Sequence, residues 1–450
     1  MTNVSREWTK KWVGLLFAAC IVALFCWTPI REWVNTPSQI RVLEGNSTWL
    51  KLGLPVHAVV TTSNAHVAAI HRSDSPSSLA LNLKQPIEID SLAQGDADVQ
   101  VKLFGFLPVK SVHVSVIPDI KVIPGGQSIG VKIRSSGIMV VGYNLIKSVE
   151  KTLSPAETAN IKVGDVITKI DGKTVQSVEQ AAMLINRAGK EKRDLELTLM
   201  RSKSATKTHV TPVWDNETQT YRIGLYIRDS AAGVGTLTFF APKQKVFGAL
   251  GHVISDLDTG QPIEVKDGQV VHSSVTSIDK GESGQPGEKR GTMIDESNVL
   301  GTIKRNSEFG VYGTMSQIPD YGKVNEPIPI ALAEQVKEGP AKILTVVNGQ
   351  EVEEYDIEIV NVLRQKFPAT KSMVIKVTDP KLIEKTGGII QGMSGSPILQ
   401  DGKLVGAVTH VFVNDPTQGY GVFIEWMLNE AGIQTKASAA VPDHRLNKAS

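Results

Sequence analysis

The chain has 450 residues and a net charge of +2, from 48 Lys and Arg against 46 Asp and Glu, with 41% hydrophobic residues. This near-balance, with no long basic tract, excludes a nucleic-acid binder, and the length and composition imply about two to four domains with ordinary cores. Both cysteines, Cys20 and Cys26, lie in one N-terminal apolar stretch, which excludes a disulfide framework or a cysteine metal site from the rest of the chain.

Residues 1–30 read as an export signal or membrane anchor. Arg6, Lys10 and Lys11 precede the uncharged run Trp12–Trp27, a positive region followed by an apolar one. As a helix that run spans roughly 24 Å, slightly short of a bilayer core of roughly 30 Å, and its positive end is expected to stay in the cytoplasm. Residues 31–118 read as a polar linker and a small β-rich domain. Val99–Phe104 and Val109–Val116 largely alternate apolar and polar residues. His57, His66, His71 and His113 show no ligand spacing.

Residues 119–205 carry a second pattern. Ser154-Pro155 opens a short helix, Gly164-Asp165 turns into a strand and Asp171-Gly172 makes a hairpin turn. Gln180–Ala188 reads as a helix with Ala181, Leu184 and Ile185 inward, and Leu195–Leu199 alternates as a strand. The stretch Ser154–Val175 resembles a PDZ domain of the bacterial protease-associated kind. The resemblance implies that Ser128, Ile129, Gly130 and Val131 form the carboxylate-binding loop, whose free amides hold a peptide C-terminus.

Residues 206–435 read as one β-domain with turns at Gly233, Gly251, Asp267-Gly268, Gly313 and Asn348-Gly349. About 230 residues of this kind suit a two-barrel all-β unit. Gly281–Gly287 reads as a mobile loop, Trp426–Ala431 as the one clear late helix, and 436–450 as a polar tail.

Within this domain, Gly387–Ile398 places Ser394 between Met393 and Gly395, two residues after Gly392. The order Gly-x-Ser-Gly-Ser-Pro, followed by a hairpin through Asp401-Gly402-Lys403, resembles the nucleophile segment of chymotrypsin-like serine peptidases. The amides of Gly392 and Ser394 are then the expected oxyanion hole. A serine hydroxyl needs an imidazole base and a carboxylate that fixes its tautomer. Of His209, His252 and His272, His252 is preferred, because small residues crowd it in Phe247–Ile254. For the acid, the residues alone leave Asp320, Asp356 and Asp379 open. A metal cluster of His252, Asp256 and Asp258 is a weak rival, since the aspartates precede Thr259-Gly260 as in a plain turn; no metal or cofactor is expected.

Taken together, the export segment, the PDZ pattern, Gly248–Asp256, Gly387–Ile398, Thr409–Pro416 and Gly419-Tyr420-Gly421 resemble the stage IV sporulation protein B peptidases of endospore-forming bacteria. The resemblance implies a chymotrypsin-like double β-barrel with a triad of His252, Asp379 and Ser394, which decides the acid for Asp379. It implies a serine endopeptidase exported from the forespore into the space between its membranes, held by its N-terminal helix or released. Its implied substrates are itself and a membrane-bound regulator of an intramembrane protease, the cut leading to activation of a mother-cell sigma factor. Thr409 and His410 are expected in the pocket for the residue before the scissile bond. The alternatives are a catalytically inactive PDZ scaffold of the envelope, which an intact His, Asp and Ser disfavours, and a general quality-control protease, whose usual order places the PDZ domain last.

Overall fold

The computed structural model describes residues 36–435 except 55, 72–77, 149–151, 203, 295–296, 364 and 366, with isolated positions 12, 15, 31, 33 and 34 before them. The expected export segment, apart from two of its residues, and the polar tail lie outside the described residues. Among the described residues no helix is long and apolar enough to cross a membrane. The protein is mainly β, and it divides into two compact units, one before Lys121 and one of Lys121–Ile433.

The first unit has a five-stranded sheet, in the order Gln39–Leu43, Leu107–Ile117, Gly95–Leu103, His57–Thr62, Ser78–Asn82, and a three-stranded sheet of Ser47–Leu50, Ile87–Ser91 and Ala68–Ile70. The alternation seen in the sequence sets the faces. Val99, Val101, Val112, Val114 and Val116 point into one core with Val60, Ile87 and Ile89.

In the second unit, the expected boundary at residue 205 is crossed by strands. Ser128–Tyr143 pairs along its first half with both Leu225–Ala241 and Val265–Asp279. The ring then continues through Val299–Ser307, Gly310–Met315 and Val246–Ala249 back to Leu225–Ala241. This is a first six-stranded barrel, and one of its strands, Ser128–Tyr143, comes from within the segment read as the PDZ domain. Its core holds Ile129, Val131, Ile133, Leu237, Phe247, Val270, Ile303 and Val311. The second half of Ser128–Tyr143 pairs with Val166–Ile170 and enters the PDZ sheet with Leu195–Arg201 and Ser204–Val210.

Two helices pack on that sheet. Pro155–Thr158 is capped by Ser154, and Val178–Lys190 is capped by Ser177, whose hydroxyl accepts from the Gln180 amide. Ala181 and Ile185 are buried, as their spacing requires, and join Ile138, Val140, Ile167, Leu195 and Leu197 in the core. Asp171 and Gly172 both have positive φ, +50° and +75°, as a tight hairpin turn demands.

The second barrel is closed by Gly339–Thr345, Glu353–Val362, Met373–Val377, Asp415–Phe423, Lys403–Phe412 and Pro397–Gln400. Two expectations change here. Gly281–Gly287 is a tied turn: the Gly281 amide donates to Thr386 O and the Gly284 amide to Val413 O, at 2.8 Å each. A second late helix, Pro380–Thr386, precedes Ile424–Glu430.

Candidate active site

The turn that carries Ser394 is built from the second barrel and pinned by the first. Ile389, Ile390 and Met393 sink into the second barrel's core. The carbonyls face the first barrel, where Thr236 Oγ1 donates to Gly392 O (2.8 Å), the Thr236 amide to Ser394 O (3.3 Å) and Thr238 Oγ1 to Gly395 O (2.8 Å). A Cβ on Gly395, at φ +94°, would meet Thr236 O at 2.3 Å and the Leu250 amide nitrogen at 2.5 Å. Only glycine lets the two barrels approach this closely.

His252 follows the strand Val246–Ala249 through Leu250 and Gly251, both at positive φ. The turn delivers the imidazole into a cavity of about 660 Å³ that Ser394, Gly392, Thr409 and His410 also line. His252 and Ser394, far apart in sequence, are thus brought to one place. His252 Nδ1 lies 2.9 Å from Val253 O. A carbonyl only accepts, so Nδ1 carries the hydrogen and the neutral ring leaves Nε2 free to take a proton. The Ser394 hydroxyl donates to Thr409 O at 2.8 Å.

The backbone of the turn is arranged around two amides. Met393, Gly395 and Ser396 donate to Ile390 O, Val408 O and Met393 O, while the Gln391 amide donates to Gly287 O. The amides of Gly392 and Ser394, the expected oxyanion pair, make no such bond among the described residues. Gly392 has φ +89°.

His410 stands with its ring 5.6 Å from that of His252. Burial, then the neighbouring His252 and Lys371, push its pKa below the usual imidazole value, which favours the neutral ring. Neither His209 nor His272 lines the cavity.

Asp379 has a different setting. It ends the strand Met373–Val377 as expected, but its Oδ1 accepts from the amides of Lys381 (2.8 Å) and Leu382 (3.3 Å), capping the helix Pro380–Thr386. It is not among the residues lining the cavity and makes no hydrogen bond to His252. Asp followed by Pro at a helix start is a capping signature, so the sequence held the signal for this helix. Asp256 and Asp258 do not gather with His252 into a metal cluster among the described residues; Arg228 binds both, at 2.5 and 2.9 Å. Burial pushes the Asp256 carboxyl up, but hydrogen bonds from Thr259 and Arg228 outweigh it and hold the group below its ordinary value.

Ser128–Val131 is not a loop. Its residues are buried in a strand with partners on both edges, Thr236 to Gly233 on one and His272 to Val270, opposite Ile129 to Val131, on the other. The missed signal is the alternation Ile129, Val131, Ile133, whose side chains fill the first barrel. Val131 lines the cavity shared by His252 and Ser394 instead.

Residues 219–428 match the family model described as SpoIVB peptidase S55, and residues 128–220 match that of a PDZ domain. Among solved structures, the chain is similar to the PDZ domain of the SdrC-like protein Lmo2051 from Listeria monocytogenes, with 18% identity over 20% of this chain and 87% of that one, at a TM-score of 0.17. It is also similar to the Rv3671c protease from M. tuberculosis in its active form, with 15% identity over 46% of this chain and 78% of that one, at a TM-score of 0.26. The inactive form of Rv3671c gives 14% identity over 44% and 84%, at a TM-score of 0.27. No curated protein matches the chain.

Proposed function

We propose, for a chain that is SpoIVB-like and carries an S55-family serine peptidase domain behind a PDZ domain, that Ser394 is the acylating nucleophile and His252 its general base. The observation that carries this reading is the meeting of Ser394 and His252 in one cavity, beside two amides without acceptors among the described residues. In the reaction, Ser394 Oγ turns from Thr409 O to His252 Nε2, gives up its proton there and attacks the substrate carbonyl. The oxyanion is received by the Gly392 and Ser394 amides, and the protonated imidazole then hands its proton to the leaving amine. The Val253 carbonyl fixes the imidazole tautomer in the resting state. Asp379 is proposed as the carboxylate that stabilises the imidazolium, which requires its helix cap and the His252 turn to rearrange.

The substrates proposed are the chain itself and a membrane-bound regulator of an intramembrane protease, whose cleavage leads to activation of a mother-cell sigma factor during endospore formation. The proposed location is the space between the forespore membranes, with the N-terminal segment as anchor or export signal. The PDZ domain is proposed to bind a peptide C-terminus, at an edge other than Ser128–Val131. The apolar side chains of Ile389, Ile390 and Val411 in the cavity favour an uncharged residue before the scissile bond.

The test is self-cleavage of the full-length chain in detergent beside Ser394→Ala, followed by mass, with a serine-directed phosphonate as an independent label. Fragments and an adduct from the parent alone establish the serine peptidase. No fragments and no adduct from either favour the envelope scaffold.

A further inference from the structure

Lys289 has no part in the mechanism above. It sits in Glu288–Met293, is 3% exposed, and lies between the barrels. A buried lysine ordinarily faces a carboxylate. Among the described residues none pairs with this one. Its Nζ gives hydrogens to the hydroxyls of Thr236 (3.3 Å), from the first barrel, and Thr345 (3.2 Å), from the second. Desolvation pushes its pKa down to about 7, so burying it costs the fold stability that a neutral side chain would not.

What the lysine touches is the nucleophile turn. A Cβ on Gly392 would lie 3.1 Å from Lys289 Cβ and 3.2 Å from its Cε, so the stem runs along that glycine. Both peptide planes of Gly392 lead back to Lys289. The Gln391 carbonyl, trans to the Gly392 N–H, accepts from the Lys289 amide at 2.8 Å. The Gly392 carbonyl accepts from Thr236 Oγ1 at 2.8 Å. That hydroxyl has one hydrogen; when it accepts from Nζ, its own hydrogen is directed to Gly392 O. The peptide unit is planar, so holding the Gln391 carbonyl fixes where the Gly392 N–H points.

We propose that Lys289 is a positioning residue for the oxyanion hole: its amide directly, and its Nζ through the Thr236 hydroxyl, hold the peptide planes on both sides of Gly392 and keep the Gly392 N–H aimed at the oxyanion. The proposal rests on the serine peptidase reading with Ser394 as nucleophile.

The experiment is phosphonylation of the full-length chain in detergent by a fluorophosphonate. Ser394 Oγ bonds to phosphorus, fluoride leaves and the serine proton passes to His252. The limiting rate and the half-saturating concentration are measured for the parent, Lys289→Met, Thr236→Val and Thr236→Ser, with Ser394→Ala as control and near-UV circular dichroism for the fold. Lys289→Met and Thr236→Val are expected to lower the limiting rate about 10-fold or more, less than loss of a whole oxyanion donor, with half-saturation unchanged within about 2-fold. Thr236→Ser, which keeps the hydroxyl, is expected to restore the rate. A folded Lys289→Met that reacts at the parent rate, or changes half-saturation alone, overturns the proposal. Should Lys289→Met fail to fold, equal rates for Thr236→Val and Thr236→Ser overturn it in the same way. A parent that takes no label at Ser394 overturns the peptidase reading and this one together, whereas a labelled parent with indifferent variants overturns only the role of Lys289.

Discussion

The Ser394 hydroxyl donates to the Thr409 carbonyl at 2.8 Å, so the proton that the proposed base removes is committed to a group that cannot take it. Breaking one such bond costs about 1 kcal/mol net, little beside an enzymic barrier, and a substrate in the cavity would offset it. In a structure of the phosphonylated protein, Ser394 Oγ is expected beyond hydrogen-bond reach of Thr409 O, with His252 Nε2 facing the adduct. An adduct that left the Thr409 bond intact would mean that the resting rotamer is also the reactive one.

The glycines of the turn differ in what a side chain would meet. Gly395→Ala drives a Cβ into Thr236 O at 2.3 Å, which is backbone and cannot swing away. Gly392→Ala meets the Lys289 stem at 3.1 Å. At Gly402, with φ +73° in the hairpin tip, an added Cβ would have nothing within 4 Å. Gly402→Ala should therefore cost only backbone strain, about 1 kcal/mol, with phosphonate labelling unchanged. Gly395→Ala should cost about 3 kcal/mol or more and abolish labelling. Thermal melts read beside labelling rates check the order, and equal losses at 395 and 402 would refute it.

The meeting of Ser394 and His252 in one cavity was legible in the sequence because the tight turns that carry them need small residues in a fixed order, and Gly392, Gly395 and Gly251 supply them locally. The barrels were legible as a class from strand spacing. The register was not: Ser128-Ile129-Gly130-Val131 satisfies a PDZ loop pattern and a period-two strand equally well, and long-range pairing with Leu225–Ala241 decided between them. Lys289 was hidden for a similar reason. In Glu288-Lys289-Arg290 it reads as a solvated charge, and only the folded chain, which packs Thr236, Thr345 and Gly392 against it, buries it.

That burial has a pH signature. An unfolded lysine titrates near 10.4, whereas Lys289 in the fold titrates at about 7. Between these values the unfolded chain holds a proton that the folded one has released, so stability rises with pH across that window, and the charging penalty is present in full below about 7. Lys289→Met is expected to be more stable than the parent by the largest margin at about pH 6, the margin shrinking towards about pH 10 at up to about 1.4 kcal/mol per unit. Urea denaturation of both proteins at several pH values measures the difference, in which other titrating groups cancel. A margin that is flat with pH would place the charge elsewhere.

In the PDZ portion, Asp165 is 1% exposed and binds Arg201 through Nε (2.7 Å) and Nη2 (2.6 Å) while accepting from the Lys162 amide. Arg201 reaches solvent and Asp165 does not. Removing the arginine strands a buried charge; removing the carboxylate charge leaves a cation that water can serve. Arg201→Met should therefore cost about 3 kcal/mol and Asp165→Asn less. The midpoints of urea unfolding give the order, and a larger loss for Asp165→Asn would contradict it.

Asp379 separates two roles that one carboxylate can hold. As a helix cap its oxygen accepts from the Lys381 and Leu382 amides, and asparagine caps nearly as well as aspartate, whereas alanine costs about 1 kcal/mol. As a triad member it must carry charge, and the neutral amide lowers turnover by about 10² to 10⁴. Asp379→Asn is thus expected to melt with the parent and to cleave itself far more slowly, while Asp379→Ala loses both stability and activity. Self-cleavage at the parent rate in a fully folded Asp379→Asn would reduce the site to Ser394 and His252, with the Val253 carbonyl alone holding the imidazole and Asp379 serving only its helix.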